Sequence, residues 1–187
     1  MIDSEFLLLG DAVWLDFVNS ARGRDPSPPD LLPDIAAFGR WARLLRLDPG
    51  EDRDSLGMVH RFRSDLTELA EALHRGLAPP AGAVAAVNRV LSRSIGRHQL
   101  TRVSGTWQLR FAPARPLAAL EAVARSAAQT LADSVVRVRR CAGATCSLFF
   151  LDGTPSGSRR WCCPVACGSE SWVERRRLVG KYQQSAL

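Results

Sequence analysis

The chain has 187 residues, 46% hydrophobic and 24% charged, which is typical of a folded globular protein and argues against a disordered one. No apolar run approaches the roughly 20 residues that cross a bilayer, so we expect no membrane-spanning role. The formal net charge is +6, and the whole excess lies in residues 137–187. This segment contains nine basic residues and only three acidic ones, Asp152, Glu170 and Glu174. A basic segment of this kind either contacts polyanions or simply keeps a surface solvated.

Residues 7–19, LLLGDAVWLDFVN, are predominantly apolar and predict a strand, or a strand leading into a helix, that anchors this segment in the core. Two polar residues interrupt the run, Asp16 and Asn19, and aromatic residues lie beside them. We therefore take Trp14, Asp16 and Asn19 as candidates for a ligand pocket. The alternative is that Asp16 and Asn19 satisfy backbone amides or cap a helix, because buried polar groups need hydrogen-bond partners.

Hydrophobic periodicity predicts four helices after a proline-rich loop at residues 20–33. They cover about residues 34–47, 56–74, 83–95 and 117–136. Between the last two the period changes to two, so residues 98–112 predict a β-hairpin that turns at Ser104 and Gly105. Residues 1–136 are thus expected to form a helical domain with one small hairpin, within an α+β fold that is mainly α.

Four cysteines follow in two pairs of equal spacing. Cys141 and Cys146 have four residues between them, as do Cys162 and Cys167, and fifteen residues separate the pairs. Two such pairs suit a metal ion that prefers four nitrogen or sulfur ligands in a tetrahedron. Cys163 leaves the register open, since it could replace Cys162, but Cys162 repeats the spacing of the first pair. We expect a structural Zn²⁺ site.

Disulfides are the alternative use of these cysteines. A count of five always leaves one thiol over, and the start of the chain, MIDSEFLLLGDAVW, lacks the basic n-region of a signal peptide. These observations predict a cytoplasmic location, where thiols remain reduced and metal binding is favoured over disulfide formation.

The sequence around the cysteines predicts a knuckle, a hairpin of SLFFLD and SRRWC around the turn DGTPSGS, the second cysteine pair, and then a helix. Ser171 and Glu174 have capping-box spacing, which starts that helix near residues 169–171. The order resembles a treble-clef zinc finger. Its candidate nucleic-acid contacts are the basic residues beside the second pair and on the outer face of the helix: Arg159, Arg160, Arg176, Arg177 and Lys181.

The cysteine region, with CxxxxC, LFFLD, SRRWC and a final CG, resembles the CGNR zinc-finger family. LDFVN followed by a proline-rich loop with DLLP resembles the ABATE domain, which precedes that finger in stress-induced transcription regulators. The resemblance implies zinc ligation by Cys141, Cys146, Cys162 and Cys167, and it favours Cys162 over Cys163. It also implies that residues 137–187 form a finger that contacts DNA, and that the N-terminal domain senses a small ligand or a partner.

The chain departs from the family tetrad, which here reads Cys167, Gly168, Ser169 and Glu170. A hydroxyl replaces the amide and an acid replaces the arginine. A carboxylate at a helix N-terminus competes with phosphate for the same amides, so we expect weakened DNA binding. The competing hypothesis is a zinc-stabilised protein-interaction module that has lost DNA binding.

An enzyme is not expected. The three histidines, at positions 60, 74 and 98, lie far apart in sequence, and no nucleophile motif is present. A four-cysteine site also leaves the metal no open coordination position for a water molecule.

Overall fold

The computed structural model describes residues 6–23, 28–50, 54–133, 135 and 137–168. Within these ranges the elements are α1 (Val13–Asn19), α2 (Ile35–Leu44), α3 (Leu56–His74), α4 (Ala81–Leu91), β1 (Gly96–Val103), β2 (Thr106–Pro113), α5 (Ala119–Ala132), β3 (Arg137–Arg140), β4 (Phe149–Asp152) and a π-helical turn (Pro164–Gly168). The expected fold class, mainly helical with a small hairpin before a cysteine cluster, is confirmed. The helix expected after residue 169, with Arg176, Arg177 and Lys181, lies outside the described residues.

Helices α2 and α3 each begin where a capping side chain precedes an apolar stripe. The Asp34 carboxylate accepts from the Ala37 amide at 2.7 Å and starts α2. The Ser55 hydroxyl accepts from the Met58 amide at 3.3 Å and starts α3, whose bounds are those predicted. The helices α4 and α5 are each shorter than predicted at the C-terminal end. None of the described helices is long and apolar enough to cross a membrane.

The segment around α1 is helical, and among its described residues no strand forms, contrary to the first expectation. Four of its side chains are fully buried: Trp14, Leu15, Phe17 and Val18. The two polar residues of α1, Asp16 and Asn19, are buried as well, so the whole helix lies within the core. Accordingly, α1 packs against α3, α5 and β4, and the Phe17 ring lies 5.4 Å from Trp41 of α2.

The proline-rich loop is tied to α3 by an ion pair between a buried arginine and an exposed aspartate. The Arg63 guanidinium, 6% exposed, donates to both oxygens of Asp30 and to the Ser20 hydroxyl. The Asp30 carboxylate also accepts from the Leu32 amide at 2.8 Å, and the Leu32 side chain is fully buried. The DLLP motif therefore closes one side of the helical core.

The described strands form two separate antiparallel hairpins, β1–β2 and β3–β4. Ser104 and Gly105 turn the first hairpin with positive φ angles of 48° and 84°, a geometry that matches strand twist. In the second, Arg137 pairs with Asp152 and Arg140 with Phe149. The expected pairing of SLFFLD with SRRWC is wrong, because the strand partner of β4 is the segment before the first cysteine.

Candidate metal centre

The β3–β4 hairpin and the turn after it bring four cysteines together. Cys141 directly follows β3 and Cys146 precedes β4, so the first pair lies in the connection of the hairpin. Cys162 lies two residues before the π-helical turn, and Cys167 lies within it. The four Sγ atoms all lie within 4.8 Å of one another, with Cys162 3.8 Å from Cys146 and 3.7 Å from Cys167. Thiolates bonded to zinc at about 2.3 Å in a tetrahedron are separated by about 3.8 Å.

The sulfurs are enclosed, and backbone amides point at them. All four cysteines are at most 7% exposed. Cys141 Sγ accepts from the Gly143 amide at 3.5 Å and from the Cys162 amide at 3.4 Å. A Cβ on Gly143 would lie 3.1 Å from Cys146 Cβ and 3.2 Å from Cys167 Cβ, so glycine permits the close approach of both pairs. Amide donors and exclusion of water suit a closed structural site.

Sulfurs at these distances compete for protons. A hydrogen bond from Cys162 lowers the pKa of Cys146 to about 5, and the same bond raises the pKa of Cys162 far above its usual range. Burial raises the pKa of Cys167 to about 12. Four thiolates side by side therefore require a cation among them, and a divalent metal supplies that charge while displacing the protons. The donor set, spacing and burial fit structural Zn²⁺.

The structure separates the two adjacent cysteines that the sequence left ambiguous. Cys162 is 3% exposed and belongs to the group of four, whereas Cys163 is half-buried outside it. The Cys163 carbonyl accepts from the Cys167 amide at 2.9 Å, which closes the turn. All five thiols are free of disulfide bonds.

Strand β4 contributes to two cores at once. Leu148 and Phe150 are fully buried among the cysteines, while Phe149 is fully buried in the helical core, where Leu151 also packs. This division follows from the alternation of side chains along a strand. Leu7 and Leu9, which precede α1, complete the cysteine core together with Trp161.

A bidentate amide joins α1 to β4. Asn19 Nδ2 donates to the Phe149 carbonyl at 2.8 Å, and Asn19 Oδ1 accepts from the Phe149 amide at 2.9 Å. The buried Asn19 side chain, 1% exposed, thus makes with Phe149 the two hydrogen bonds that a neighbouring strand would otherwise make. Nearby, the Leu151 amide donates to Gly10 at 3.0 Å and the Ser147 amide donates to Gly23 at 2.9 Å. The cysteine module is therefore docked on the helical domain through hydrogen bonds and shared apolar packing.

Arg159 is committed to contacts within the protein. Its guanidinium donates to the carbonyls of Trp161 and Cys162, at 2.9 and 2.6 Å, and pairs with the Asp11 carboxylate. It also lies 4.5 Å from the centre of the Phe150 ring. Arg160 is exposed, with its guanidinium 5.3 Å from the centre of the Trp161 ring. Of the predicted nucleic-acid contacts that the structure describes, Arg160 is thus the more accessible one.

The three candidate pocket residues are all buried and hydrogen-bonded. The Trp14 indole donates to the Thr130 hydroxyl at 2.9 Å. Asp16 Oδ1 accepts from the Gly10 amide at 2.8 Å, and burial raises the pKa of Asp16 to about 6. Asn19 binds Phe149 as described. These contacts favour the alternative interpretation, in which Asp16 and Asn19 satisfy backbone groups.

Sequence reasoning missed the role of this N-terminal segment in holding the cysteine module. The strand, or strand leading into a helix, that the sequence predicts for residues 7–19 gives Leu7 and Leu9 no contact with the cysteines. Neither interpretation of Asn19, as a pocket residue or as a partner of backbone groups, places it against the cysteine module. One signal was available: the two polar residues of a mostly apolar helix, Asp16 and Asn19, must each find a buried partner. The identity of the partner of Asn19, 130 residues away, was not available from local pattern.

A helical domain that shares a strand with a compact four-cysteine metal module defines a zinc-finger protein. Residues 11–134 match the sequence profile of the ABATE family, described as "putative stress-induced transcription regulator", and residues 137–178 match the CGNR zinc finger. The chain therefore belongs to the ABATE family and carries a CGNR zinc finger, as the sequence motifs indicated. Neither family is one of enzymes. A comparison with curated proteins finds no match.

Proposed function

We propose that the protein is a cytoplasmic zinc-dependent transcription regulator. Residues 137–187 form the finger that contacts DNA, and residues 1–136 form a domain that senses a small ligand or a partner. The observation that supports this best is the convergence of four buried cysteine sulfurs in a family of regulators. In this proposal Cys141, Cys146, Cys162 and Cys167 hold a structural Zn²⁺ that fixes the finger and takes no part in chemistry.

DNA contact is proposed for Arg160 and for Arg176, Arg177 and Lys181 beyond the described residues. Arg159 acts as a positioning residue, since its guanidinium links the finger turn to Asp11. The described part of the finger contains five arginines and one acid, Asp152, whose pKa is held low mainly by its hydrogen bond with Thr154. Four thiolates and Zn²⁺ together contribute about two negative charges, so this part remains basic.

The test is fluorescence anisotropy of zinc-loaded protein with random duplex DNA at low and moderate salt. Replacing Arg176, Arg177 and Lys181 by Ala should weaken binding and flatten its salt dependence while leaving zinc content unchanged. The charge-matched control R46G/R61A/R75A removes three arginines of the helical domain that are exposed. Gly is chosen at Arg46 because its φ is 56°. Equal affinities for the two triple variants would exclude Arg176, Arg177 and Lys181 as DNA contacts.

The second candidate function, a protein-interaction module without DNA binding, is favoured by one observation, the commitment of Arg159 to internal contacts. The same measurement separates the two hypotheses. Wild-type protein that shows no salt-sensitive affinity for any duplex would leave the interaction module standing and reject the regulator.

For the sensing role, the structure offers a cleft of about 460 Å³ between the ends of α3 and α5 and strand β3. Two arginines, Arg137 and Arg139, and His74 line it with a single acid, Asp133. Because the basic residues outnumber the acid, we propose that its ligand is a small anion. The His74 ring also lies 6.2 Å from Phe149, beside the junction with the finger. Small carboxylates and phosphates should raise the melting temperature of wild type and of His98→Ala but not of His74→Ala. No shift with any anion would reject this site.

A further inference from the structure

The β1–β2 hairpin lies in a basic stretch of the chain. Residues 1–136 have no net charge as a whole, so their sum hides this stretch. Residues 76–120 contain six arginines and neither Asp nor Glu. Arg93 and Arg115 are paired with Asp54 and Glu121 from outside this run. Three other arginines, Arg97, Arg102 and Arg110, are exposed on the hairpin, and none of them has an acidic partner among the residues that the structure describes.

The strand register sorts the hairpin into two unlike faces. Gln99 pairs with Arg110, Thr101 with Gln108 and Val103 with Thr106, while Arg97 lies opposite Ala112. Because side chains alternate along a strand, one face therefore presents two arginines, two glutamines and two threonines. The opposite face carries Leu100, Leu109 and Trp107, each more than 60% exposed.

The polar face has the chemistry that reads base edges. Arg forms bidentate hydrogen bonds with guanine, Gln with adenine, and Thr contacts either base or a thymine methyl group. Successive residues on one face of a strand are about 6.8 Å apart, which is about two base-pair steps. The major groove, about 12 Å wide, admits a two-stranded ribbon of this kind.

The hairpin is also built to present this face. Among the residues that the structure describes, no third strand pairs with the hairpin, and its turn residues Ser104 and Gly105 are both exposed. At its base, the Ala114 amide donates to the Ile95 carbonyl at 2.8 Å. On the polar face, Gln108 Oε1 accepts from Nε and Nη2 of Arg110, at 3.1 and 2.9 Å, which orients that guanidinium before any ligand arrives.

From these observations we infer that the β1–β2 hairpin is a second DNA-binding surface, which inserts its polar face into the major groove of a duplex. Arg97 and Arg110 carry the main contacts, with Gln99 and Gln108 beside them. The inference rests on the proposed function in that the target is the same DNA, but it assigns recognition to the ABATE domain as well as to the finger.

The test uses the full zinc-loaded chain and random duplex DNA, read by anisotropy at two salt concentrations. R97A/R110A should weaken binding about tenfold or more and lower the salt slope by about two. The control R61A/R75A removes one exposed arginine of α3 and the exposed arginine that follows its last residue, and it should change affinity less than twofold. R97K/R110K, which keeps the charge but not the bidentate geometry, should restore the salt slope and only part of the affinity.

The outcomes distinguish this inference from the proposed function. If wild type binds DNA and R97A/R110A matches R61A/R75A, the hairpin inference is wrong while the regulator hypothesis stands. If wild type binds no duplex at all, the proposed function fails first. Unchanged DNA affinity of R97A/R110A, together with an altered oligomeric state of Leu100→Ser, would also overturn the inference and assign the hairpin to a protein partner on its apolar face.

Discussion

Replacing Asn19 by Ala tests whether the helical domain and the finger are joined by one side chain. The change removes both partners of the Phe149 backbone, whose amide and carbonyl are bonded at 2.9 and 2.8 Å in a region where Asn19 is 1% exposed. A buried backbone group left unsatisfied costs about 1–3 kcal/mol. Partial entry of water relieves some of that cost, so we expect the free energy of unfolding to fall by about 3 kcal/mol for the two groups together.

For a chain of this length, a loss of 3 kcal/mol corresponds to a drop in melting temperature of about 6–12 °C. Differential scanning calorimetry and urea unfolding measure it directly. Zinc release to a chromogenic chelator should also be faster, because β4 leads directly from Cys146. Asn19→Asp should be at least as destabilising at neutral pH, since a carboxylate would then face the Phe149 carbonyl.

Asn88→Ala is the matched control, because Asn88 is exposed on α4 and the chemical change is the same. We expect its stability and zinc release to equal those of wild type. If Asn19→Ala also matched wild type in both measurements, the bidentate contact would not hold the two parts together and the reasoning would be refuted.

Three further predictions concern the metal centre and the buried carboxylate of α1. Cys146→Ser and Cys167→Ser should each lose stoichiometric zinc and loosen residues 137–187 while the helical circular dichroism persists, whereas Cys163→Ser should keep its zinc; metal retained by either of the first two variants would contradict the ligand assignment. Gly143→Val should weaken zinc affinity by crowding Cys146 and Cys167, while Gly153→Val, where a Cβ meets nothing within 4 Å, should leave a competitive chelator titration unchanged. Asp16→Asn should be more stable than wild type at pH 7.5, because the Asp16 pKa of about 6 in the folded protein lies above the unfolded value of 3.8, so wild type loses stability as pH rises through this range. Urea unfolding should show that advantage growing by on the order of 1 kcal/mol between pH 5 and pH 7.5, and a constant gap would show that Asp16 does not titrate as described.

The sequence was sufficient where local signals agreed with one another. In α3 the Ser55 cap and the stripe containing Val59, Phe62 and Leu66 specify both the ends of the helix and its buried face, and the structure has the same bounds. The cysteine spacing was equally informative, because two equal pairs on one chain can surround one ion. Both signals lie within short stretches of the chain, the longer of which runs from Cys141 to Cys167.

The parts that the sequence did not predict depend on contacts between distant residues. α1 is short and mostly apolar, so its periodicity does not distinguish a buried helix from a strand. The sequence around Arg159 does not show whether this residue is free or paired. Its partner, Asp11, lies 148 positions away, and only the fold brings the two together. The basic hairpin was missed for another reason, since charges were summed over residues 1–136, where the arginines of residues 76–120 are balanced by acids elsewhere.

The double role of β4 has a consequence for how such a protein diversifies. If the chain were divided between residues 136 and 137, the C-terminal part would expose Phe149 and Leu151 to water. The N-terminal part would lose the apolar side chains that cover one side of its core. We therefore expect that neither half is transferable to a new host protein at that junction without compensating apolar-to-polar changes. Recombination would preserve solubility only by moving both halves together, so the pair should be inherited as one evolutionary unit.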